Sequence, residues 1–252
     1  MDKKFLFCEV AGVKYRIEYK YSYTENKFKD YLISPEDIEK SDEIIQISYS
    51  DKDFEKWSNQ YERERTDGYI EYTCIVDQVA LGLPDLGMFL MHGATIEYNG
   101  KAYVFTAPSG TGKSTHISLW KKYLGEKVNI INGDKPEVSF HEDEVLVHGA
   151  PWCGKEGWQI NTCAPLGGVC ILKRGTDNRI EKINPGEHIE MLINQLYVVS
   201  KNDLLIKVVD LFTKMAERVS FFELECDISE DAARCSFEKL TGEDWESSKD
   251  EN

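Results

Sequence analysis

The sequence of 252 residues lacks the hallmarks of several protein classes. None of its seven cysteines forms a C-x-x-C pair, which argues against a zinc ribbon. No stretch approaches the roughly 18 apolar residues that a membrane span needs. The apolar run after the first lysines is cut by Glu9, so it is too short for a secretory leader. We therefore expect a cytoplasmic protein with free thiols and no membrane partner.

Basic residues are also fewer than acidic residues. The chain has 45 acidic and 30 basic residues, which gives a net charge of −15. Because nucleic-acid binders are usually basic, we expect no nucleic-acid partner. Any site for a polyanion must be built locally, from backbone N–H groups and a few cations. Otherwise 41% hydrophobic and 30% charged residues are ordinary for a globular chain.

The apolar and turn patterns predict an α/β fold with several antiparallel hairpins. We divide the chain into a β-rich N-terminal subdomain (1–70), a main domain (71–242) and a frayed acidic tail (243–252). Asn99-Gly100 between alternating apolar runs predicts a hairpin of strands 92–97 and 101–106. Further strands are predicted at 4–9, 14–21, 43–50, 128–132, 137–140, 145–148, 168–173 and 221–225. Helices are predicted at 51–64, 72–90 with a break at Pro84, 114–123, 187–196, 202–219 and 229–240.

A glycine-rich loop between a predicted strand and a predicted helix matches the phosphate-binding pattern, with Ala107 in its first position and Gly112-Lys113-Ser114 in its last. Glycines let successive N–H groups face inward, and the helix N-terminus favours a phosphate chain. Lys113 supplies a point charge, and the Ser114 hydroxyl suits Mg²⁺. The residues predicted to bind nucleotide are Pro108, Ser109, Gly110, Thr111, Gly112, Lys113, Ser114 and Thr115.

A second metal ligand is expected at the end of a downstream strand. The apolar run Ile130-Ile131-Asn132 leads through Gly133 to Asp134, whose carboxylate could bind Mg²⁺ or accept a proton from a substrate hydroxyl. Glycine, aspartate and proline are also common in ordinary turns, which leaves a structural turn as the alternative.

These motifs together resemble the C-terminal kinase domain of HPr kinase/phosphorylase. The loop core is also similar to ATP-dependent phosphoenolpyruvate carboxykinase, but that enzyme is much longer and its substrate arginine is not found here. The resemblance covers about residues 75–240. It lies in Met91-His92-Gly93-Ala94, Asn99-Gly100, 105–116, Leu119-Trp120, Asp134-Lys135-Pro136, Pro151–Trp158, Asn161 and Ala164-Pro165-Leu166.

The resemblance implies an antiparallel-rich P-loop core, ATP with Mg²⁺, and phosphoryl transfer to a hydroxyl. His92 falls at the family's histidine and is a candidate base. Members of the family usually carry two adjacent acids where this chain has Gly133-Asp134, so one acidic role is lost or passes to another group. The family's members also assemble into oligomers, an expectation that no motif here carries.

The segment Pro151–Trp158 holds two tryptophans and a lysine flanked by glycine, which indicates a mobile loop. With the resemblance, it makes Lys155 a candidate catalytic cation and Trp152 a candidate substrate contact. Asn161 is a second candidate substrate contact, and a turn asparagine is the alternative reading.

The sequence thus predicts an ATP- and Mg²⁺-dependent kinase that uses Lys113, Asp134, His92 and Lys155. Its acceptor is expected to be a serine in a protein or peptide. A small hydroxyl metabolite is one alternative acceptor. A nucleotide-binding regulatory module with little turnover is the other alternative, and Gly133 favours it.

Overall fold

The computed structural model of the chain describes residues 4–38, 43–61, 64–199 and 203–249. These residues form a three-stranded sheet near the N-terminus and a nine-stranded mixed sheet. Within the same ranges, no helix is both long enough and apolar enough to cross a membrane. Three predicted segments extend beyond the described residues: the helix 51–64 at residues 62–63, the helix 202–219 at residue 202, and the tail 243–252 at residues 250–252.

The small sheet begins with the predicted hairpin. Strands β1 (Lys4–Val10) and β2 (Val13–Tyr19) pair antiparallel, and β3 (Ile44–Ile47) pairs parallel to β2. Ala11 and Gly12 turn the chain with φ of 51° and 78°, values that glycine reaches without steric cost. Strands are present at the three predicted positions, 4–9, 14–21 and 43–50, while the assignment of a β-rich subdomain stays a prediction.

Helices cover one side of this small sheet. They are α1 (Ser22–Phe28), α2 (Asp51–Gln60) and α3 (Asp67–Gly82). The start of α2 is fixed by a reciprocal pair of hydrogen bonds between Ser50 and Asp53. Helix α3 begins before the predicted residue 72 and gives way at Leu83 to a short 3-10 turn that contains Pro84. The predicted break at the proline is therefore confirmed.

The large sheet follows the order β4-β8-β9-β10-β6-β5-β7, and β12 extends it from β10 with β11 on its outer edge. Six of its pairings are antiparallel, whereas β10 runs parallel to β6 and to β12. The expected α/β fold with a mixed, antiparallel-rich sheet is confirmed. Its strands are β4 (Phe89–Leu90), β5 (Gly93–Tyr98), β6 (Lys101–Thr106), β7 (Val128–Asn132), β8 (Glu137–His141), β9 (Glu144–His148), β10 (Cys163–Arg174), β11 (Arg179–Ile183) and β12 (Phe221–Cys226).

Alternation along the central strands gives the large sheet two apolar faces. In β6, Tyr103 and Phe105 face one core, while Ala102 and Val104 face the other. Both faces are covered by helices, so the sheet is buried on both sides. The remaining helices are α4 (Lys113–Leu124), α5 (Ile189–Ile193), α6 (Asp203–Arg218), α7 (Glu230–Thr241) and α8 (Trp245–Ser248).

Other predicted segments also differ from the structure. Strand β10 is twelve residues long, because its first residues pair with β9 before its later residues pair with β6. Helix α5 is shorter than predicted, since Leu196 instead bridges to Met91. The tail is not frayed over residues 243–249, because Trp245 is fully buried and packs on Phe237 with ring centroids 5.3 Å apart.

A third apolar cluster joins the small sheet to the rest of the chain. It combines residues of β1, β2 and α3 with Leu90 of β4 and with Trp152. Trp152 is 1% exposed, and its ring centroid lies 6.3 Å from that of Phe28. The N-terminal part is thus attached to the large sheet by packing, while the predicted domain boundaries stay a prediction.

Candidate active site

The glycine-rich loop connects β6 to α4, as the sequence predicts. Gly110 and Gly112 have φ of 79° and 121°, which residues with a side chain rarely adopt. Helix α4 begins at Lys113 with no side-chain cap, so the first N–H groups of the helix have no partner within it. The N–H of Thr111 donates to Pro108 O at 3.3 Å. Within the described part of the chain, the N–H groups of Ser109, Gly110 and Gly112 have no protein acceptor. These free donors suit an anion.

Side chains on the outer side of the loop satisfy its carbonyl groups. Arg174 donates from Nε to Thr111 O at 3.1 Å and from Nη2 to Gly110 O. Thr111 Oγ1 donates to Pro108 O at 2.8 Å. These contacts fix the loop with its carbonyls engaged, which leaves the N–H groups for a ligand. Arg174 therefore holds the loop in place.

Lys113 is only 7% exposed and folds back onto the loop. Its Nζ donates to Ala107 O at 2.7 Å and to Pro108 O at 3.4 Å. Burial lowers the pKa of Lys113, the charge of Asp134 opposes that shift, and Lys135 adds to it. An ammonium has three donors, so at least one remains for a phosphate oxygen.

His92 and Asp134 meet although 41 residues separate them, because β5 and β7 are antiparallel neighbours with Thr95 opposite Asn132. The residue before β5 therefore lies beside the residues after β7. His92 Nε2 lies 3.3 Å from Asp134 Oδ1, and Gly93 N donates to Asp134 O at 2.8 Å. On its other side, His92 Nδ1 lies 3.2 Å from Gln195 Oε1.

The Asp134 carboxylate is engaged at both oxygens. Lys135 Nζ approaches Oδ2 to 2.5 Å, while Oδ1 faces His92. Burial by itself would raise the pKa of Asp134, but the hydrogen bond from His92 and the charge of Lys135 outweigh it and hold the pKa well below its usual range. Asp134 is therefore ionised near neutral pH, as a metal ligand must be, and it is a weak base.

A turn fixes the backbone around Asp134. Asn132 Oδ1 accepts from the N–H groups of Asp134 and Lys135, each at 2.8 Å. Gly133 donates to Trp158 O at 3.0 Å. The alternative reading of this segment as a turn is therefore also right, and the turn presents the carboxylate.

Two oxygen donors are available for a divalent cation, the Asp134 carboxylate and the Ser114 hydroxyl. Across the described ranges, no group of three or more His, Cys, Asp or Glu side chains could hold a metal by itself. Mg²⁺ commonly takes one or two carboxylates together with phosphate oxygens and waters. This donor set thus fits a metal bound with a nucleotide and does not fit a free metal centre.

The segment with Lys155 reaches the same site. Gly157 N donates to Gly154 O at 3.1 Å, which makes a tight turn with Lys155 exposed at its tip. A Cβ added at Gly154 would lie 3.4 Å from Asp134 Cβ, so the turn packs directly against Asp134. The structure therefore brings Lys155 together with His92, Lys113 and Asp134 around one cavity of about 820 Å³.

The two tentative substrate contacts have other places. Trp152 borders the cavity but is 1% exposed, so it supports the wall and offers almost no surface to a ligand. Asn161 lies elsewhere, on a separate cavity with Tyr31 and Leu32, and donates to Asp30 O at 3.3 Å. Asn161 therefore does not border the cavity that Lys113 and Asp134 share, because its loop turns toward the first hairpin, and its role as a substrate contact stays a prediction.

Part of the cavity lining was not predicted from the sequence. This N-terminal wall consists mainly of aromatic and basic side chains of the N-terminal part, and it includes Tyr197. The available signal was helical spacing, since Tyr69 and Tyr72 lie three residues apart and Tyr23 and Lys27 four apart. The residues concerned are Tyr23, Lys27, Trp57, Tyr61, Arg65, Tyr69, Tyr72, Thr73 and Val76.

Two further histidines and a cysteine differ in their relation to the cavity. His116 is buried, with Nε2 2.9 Å from Ser236 Oγ, and burial lowers its pKa to about 3. Cys153 is buried, and His141 is exposed on the β8–β9 hairpin. His116 and His141 do not border the cavity, whereas Cys153 borders it.

Comparisons with known proteins find matches among solved structures. No family model matches the sequence, and no curated protein matches it. Among solved structures, the HPr(Ser) kinase/phosphatase of Coxiella burnetii aligns over 61% of this chain and 93% of its own, with 9% identity and a TM-score of 0.33. A likeness at this level carries no argument about function, so the chemistry must be inferred from the cavity.

Proposed function

We propose that the protein is a phosphotransferase that binds ATP with Mg²⁺ on the glycine-rich loop and transfers the terminal phosphoryl group to a hydroxyl. The observation that carries the proposal is the loop itself. Its unpartnered N–H groups and the buried Lys113 converge on the cavity into which Asp134 projects. A phosphate chain and a phosphate-bound cation need these two kinds of partner side by side.

Each residue has a role in this proposal. The loop amides and Lys113 bind the phosphates, while Asp134 and Ser114 would hold Mg²⁺. Bound there, the metal would supply neutralisation of the charge on the phosphoryl oxygens. Lys155, exposed at the tip of its turn, adds positive charge to the same cavity.

The reaction breaks the bond between the terminal phosphorus and the ADP oxygen and forms one to the acceptor oxygen. The hydroxyl proton leaves to Asp134 or to water. Because the pKa of Asp134 is held low, the carboxylate serves better to orient the hydroxyl than to remove its proton early. His92 positions Asp134 through the contact at 3.3 Å. Phosphoryl transfer does not need a strong base, since positioning and charge stabilisation dominate its catalysis.

A thermal melt with and without ATP–Mg²⁺ tests the binding part of the proposal. A ligand at about 100 times its Kd should add about 2.7 kcal/mol to the free energy of unfolding. For a chain of this size that is a rise of roughly 5–10 °C in Tm. The shift should vanish in Lys113→Ala and persist in Lys122→Ala, an exposed lysine of the same helix. No shift in the folded wild type would refute the proposal.

Transfer itself is tested with ATP labelled in its terminal phosphate. A serine in a protein or peptide remains the first candidate acceptor. A small hydroxyl compound is the second, favoured by the cavity volume of about 820 Å³, which lies within the size range of small-ligand pockets. Label in acid-precipitable protein supports the first, and label in a dialysable product supports the second. Nucleotide binding without transfer to any acceptor would indicate a regulatory module.

A further inference from the structure

Two cations of the N-terminal part face the same cavity as the loop. Lys27 lies near the end of α1, and Arg65 precedes α3. Both rest on aromatic rings. Lys27 Nζ lies 5.7 Å from the ring centroid of Tyr23, and Arg65 Cζ lies 5.1 Å from that of Tyr69. The Tyr23 and Tyr69 rings are themselves in contact, with centroids 6.0 Å apart, so one aromatic pair carries both cations.

Neither cation is neutralised by a carboxylate from the described residues. Lys27 Nζ has the Cys153 Sγ at 3.5 Å as its polar neighbour, and Arg65 has aromatic neighbours. This is unusual in a chain with 45 acidic and 30 basic residues. By contrast, Lys135 on the loop side is paired with Asp134 at 2.5 Å.

The cavity is bordered by more cationic than anionic side chains, which also favours an anionic ligand. Five cationic side chains border it against two carboxylates, those of Asp134 and Glu156, although the whole chain has a net charge of −15. The part of the lining supplied by residues 92–135, here called the loop wall, provides Lys113 and free N–H groups for phosphates. Lys27 and Arg65 lie on the N-terminal wall, so the binding of the nucleotide phosphates does not use them. Aromatic faces hold such cations in place without consuming their hydrogen-bond donors.

We propose that Lys27 and Arg65, seated on Tyr23 and Tyr69, form a subsite for an anionic group, a carboxylate or a phosphate, on the molecule that receives the phosphoryl group. The assignment of this ligand as the acceptor rests on the proposed function; the anion subsite itself does not. The anionic group comes either from a small hydroxyl compound or from an acidic residue beside a serine in a peptide. The arms of the test separate these sources.

The first arm measures anion binding without turnover. The loop is filled with ADP–Mg²⁺, and potassium phosphate or potassium malonate is titrated at constant ionic strength while Tm is followed. The wild type should show a saturable rise. In Lys27→Gln/Arg65→Gln, which keeps much of each side-chain stem on its ring, the half-saturating concentration should increase by at least about 10-fold. The control Lys29→Gln/Arg179→Gln changes net charge equally at two exposed sites and should match the wild type.

Two outcomes of this arm would overturn the proposal. One is an anion effect that is absent in the wild type or equal in both double variants. The other is an effect that survives Lys27→Gln/Arg65→Gln but disappears in Lys113→Ala, since that would place the anion on the loop. If ADP–Mg²⁺ itself fails to bind, the proposed function fails, and the same titration without nucleotide still tests the subsite.

The second arm uses labelled ATP and matched acceptors. L-serine is compared with L-serinamide, which lacks the carboxylate, and a serine peptide with a neighbouring glutamate is compared with its glutamine form. The charged member of the preferred pair should be the better substrate, and the pair identifies the source. In Lys27→Gln/Arg65→Gln, kcat/KM for that acceptor should fall at least about 10-fold with KM for ATP nearly unchanged. A rise in KM for ATP instead would assign both cations to the nucleotide and refute the proposal.

Discussion

The two walls of the cavity differ in how the sequence encodes them. The loop wall is local: residues 92–135 supply its histidine, loop, lysine and carboxylate, and backbone groups form much of its surface. The N-terminal wall comes from residues 23–76 and from Tyr197, and it consists of side chains held by aromatic packing. A binding surface made of backbone requires particular residues at fixed spacing, so it leaves a motif. A surface made of packed side chains leaves only composition and periodicity.

The largest expected effect is on the free energy of unfolding, and it comes from Trp152, which packs between the two parts of the chain that form the walls. Trp152 belongs to the large-sheet part of the chain but is buried in the apolar cluster of the N-terminal part, against Phe28. Trp152→Ala should lower the free energy of unfolding by about 3–5 kcal/mol, as large aromatic truncations in cores do. Thermal or urea unfolding measures the loss. The control Phe5→Ala, at a ring that is 45% exposed, should change it by less than about 1 kcal/mol.

The same variant also tests whether the two walls depend on each other. If the walls depend on each other, Trp152→Ala should unfold in a single transition and weaken nucleotide binding together with stability. An unchanged Tm would contradict the packing. Two separate transitions, the later one still shifted by ATP–Mg²⁺, would mean that the loop wall stands without its partner.

The second prediction concerns the loop wall by itself. Asp134→Asn keeps the shape of the side chain but removes the charge available to Mg²⁺. We expect turnover to fall by about 10²–10³-fold, the range seen when one charge-stabilising group is removed. The extra thermal shift that Mg²⁺ adds to ADP should disappear, while ADP without metal still binds.

A matched control for that variant is Asp143→Asn, an exposed acid on the β8–β9 hairpin, which should behave as wild type. If the effect of Mg²⁺ persists in Asp134→Asn, the metal is held by other groups. The assignment of Asp134 as ligand would then be wrong.

The third prediction concerns a buried acid of the large sheet. Glu137 of β8 is fully buried, neither carboxyl oxygen has a hydrogen-bond partner in the described protein, and burial raises its pKa from 4.5 to about 8. The folded protein therefore holds one more proton than the unfolded chain between these values. The free energy of unfolding should decrease as the pH rises from about 4.5 to about 8. Above that range this contribution stays constant.

Tm measured at pH 5 and pH 8 checks this dependence. The side chain in Glu137→Gln cannot ionise. The Tm of this variant relative to that of the wild type should therefore increase by several degrees from pH 5 to pH 8. Glu144→Gln, at an exposed acid of the neighbouring strand, should follow the wild type. Parallel curves for all three proteins would show that Glu137 does not titrate as its burial implies.

Local signals explain which parts could be predicted from sequence. Asn99-Gly100 defined a hairpin, and Gly110 and Gly112 defined the loop, because each depends on positive φ within a few residues. Placing Asp134 next to His92 required the resemblance, since nothing local states that β5 and β7 are neighbours.

Long-range packing explains the rest. The start of β10 was missed because Pro165 and two glycines interrupt its pattern, and its pairing with β9 decides the strand. The tail was expected to fray because it is acidic, yet Trp245 anchors it. Lys27 and Arg65 could not be assigned to the cavity, because no short-range rule says which cation remains unpaired after folding.

The smallest effect on stability is expected at Gly133, where the sequence departs from the two-acid pattern of the resembled family. Gly133 has no positive φ, and an added Cβ would lie 3.5 Å from Trp158 Cβ, an ordinary contact. Neither backbone nor space requires glycine, so Gly133→Asp should change the free energy of unfolding by at most about 0.5 kcal/mol. A second carboxylate beside Asp134 should lower the Mg²⁺ concentration that half-saturates the ADP shift by roughly 3–10-fold, because Mg²⁺ readily takes two carboxylates. Gly133→Asn, of equal size without the charge, should leave that concentration unchanged.

If Gly133→Ala already destabilises by more than about 2 kcal/mol, the glycine is structural, and its presence says nothing about catalysis. If Gly133→Asp tightens Mg²⁺ but does not raise turnover, the loop wall already binds its metal well enough, and the acceptor held by the N-terminal wall limits the reaction.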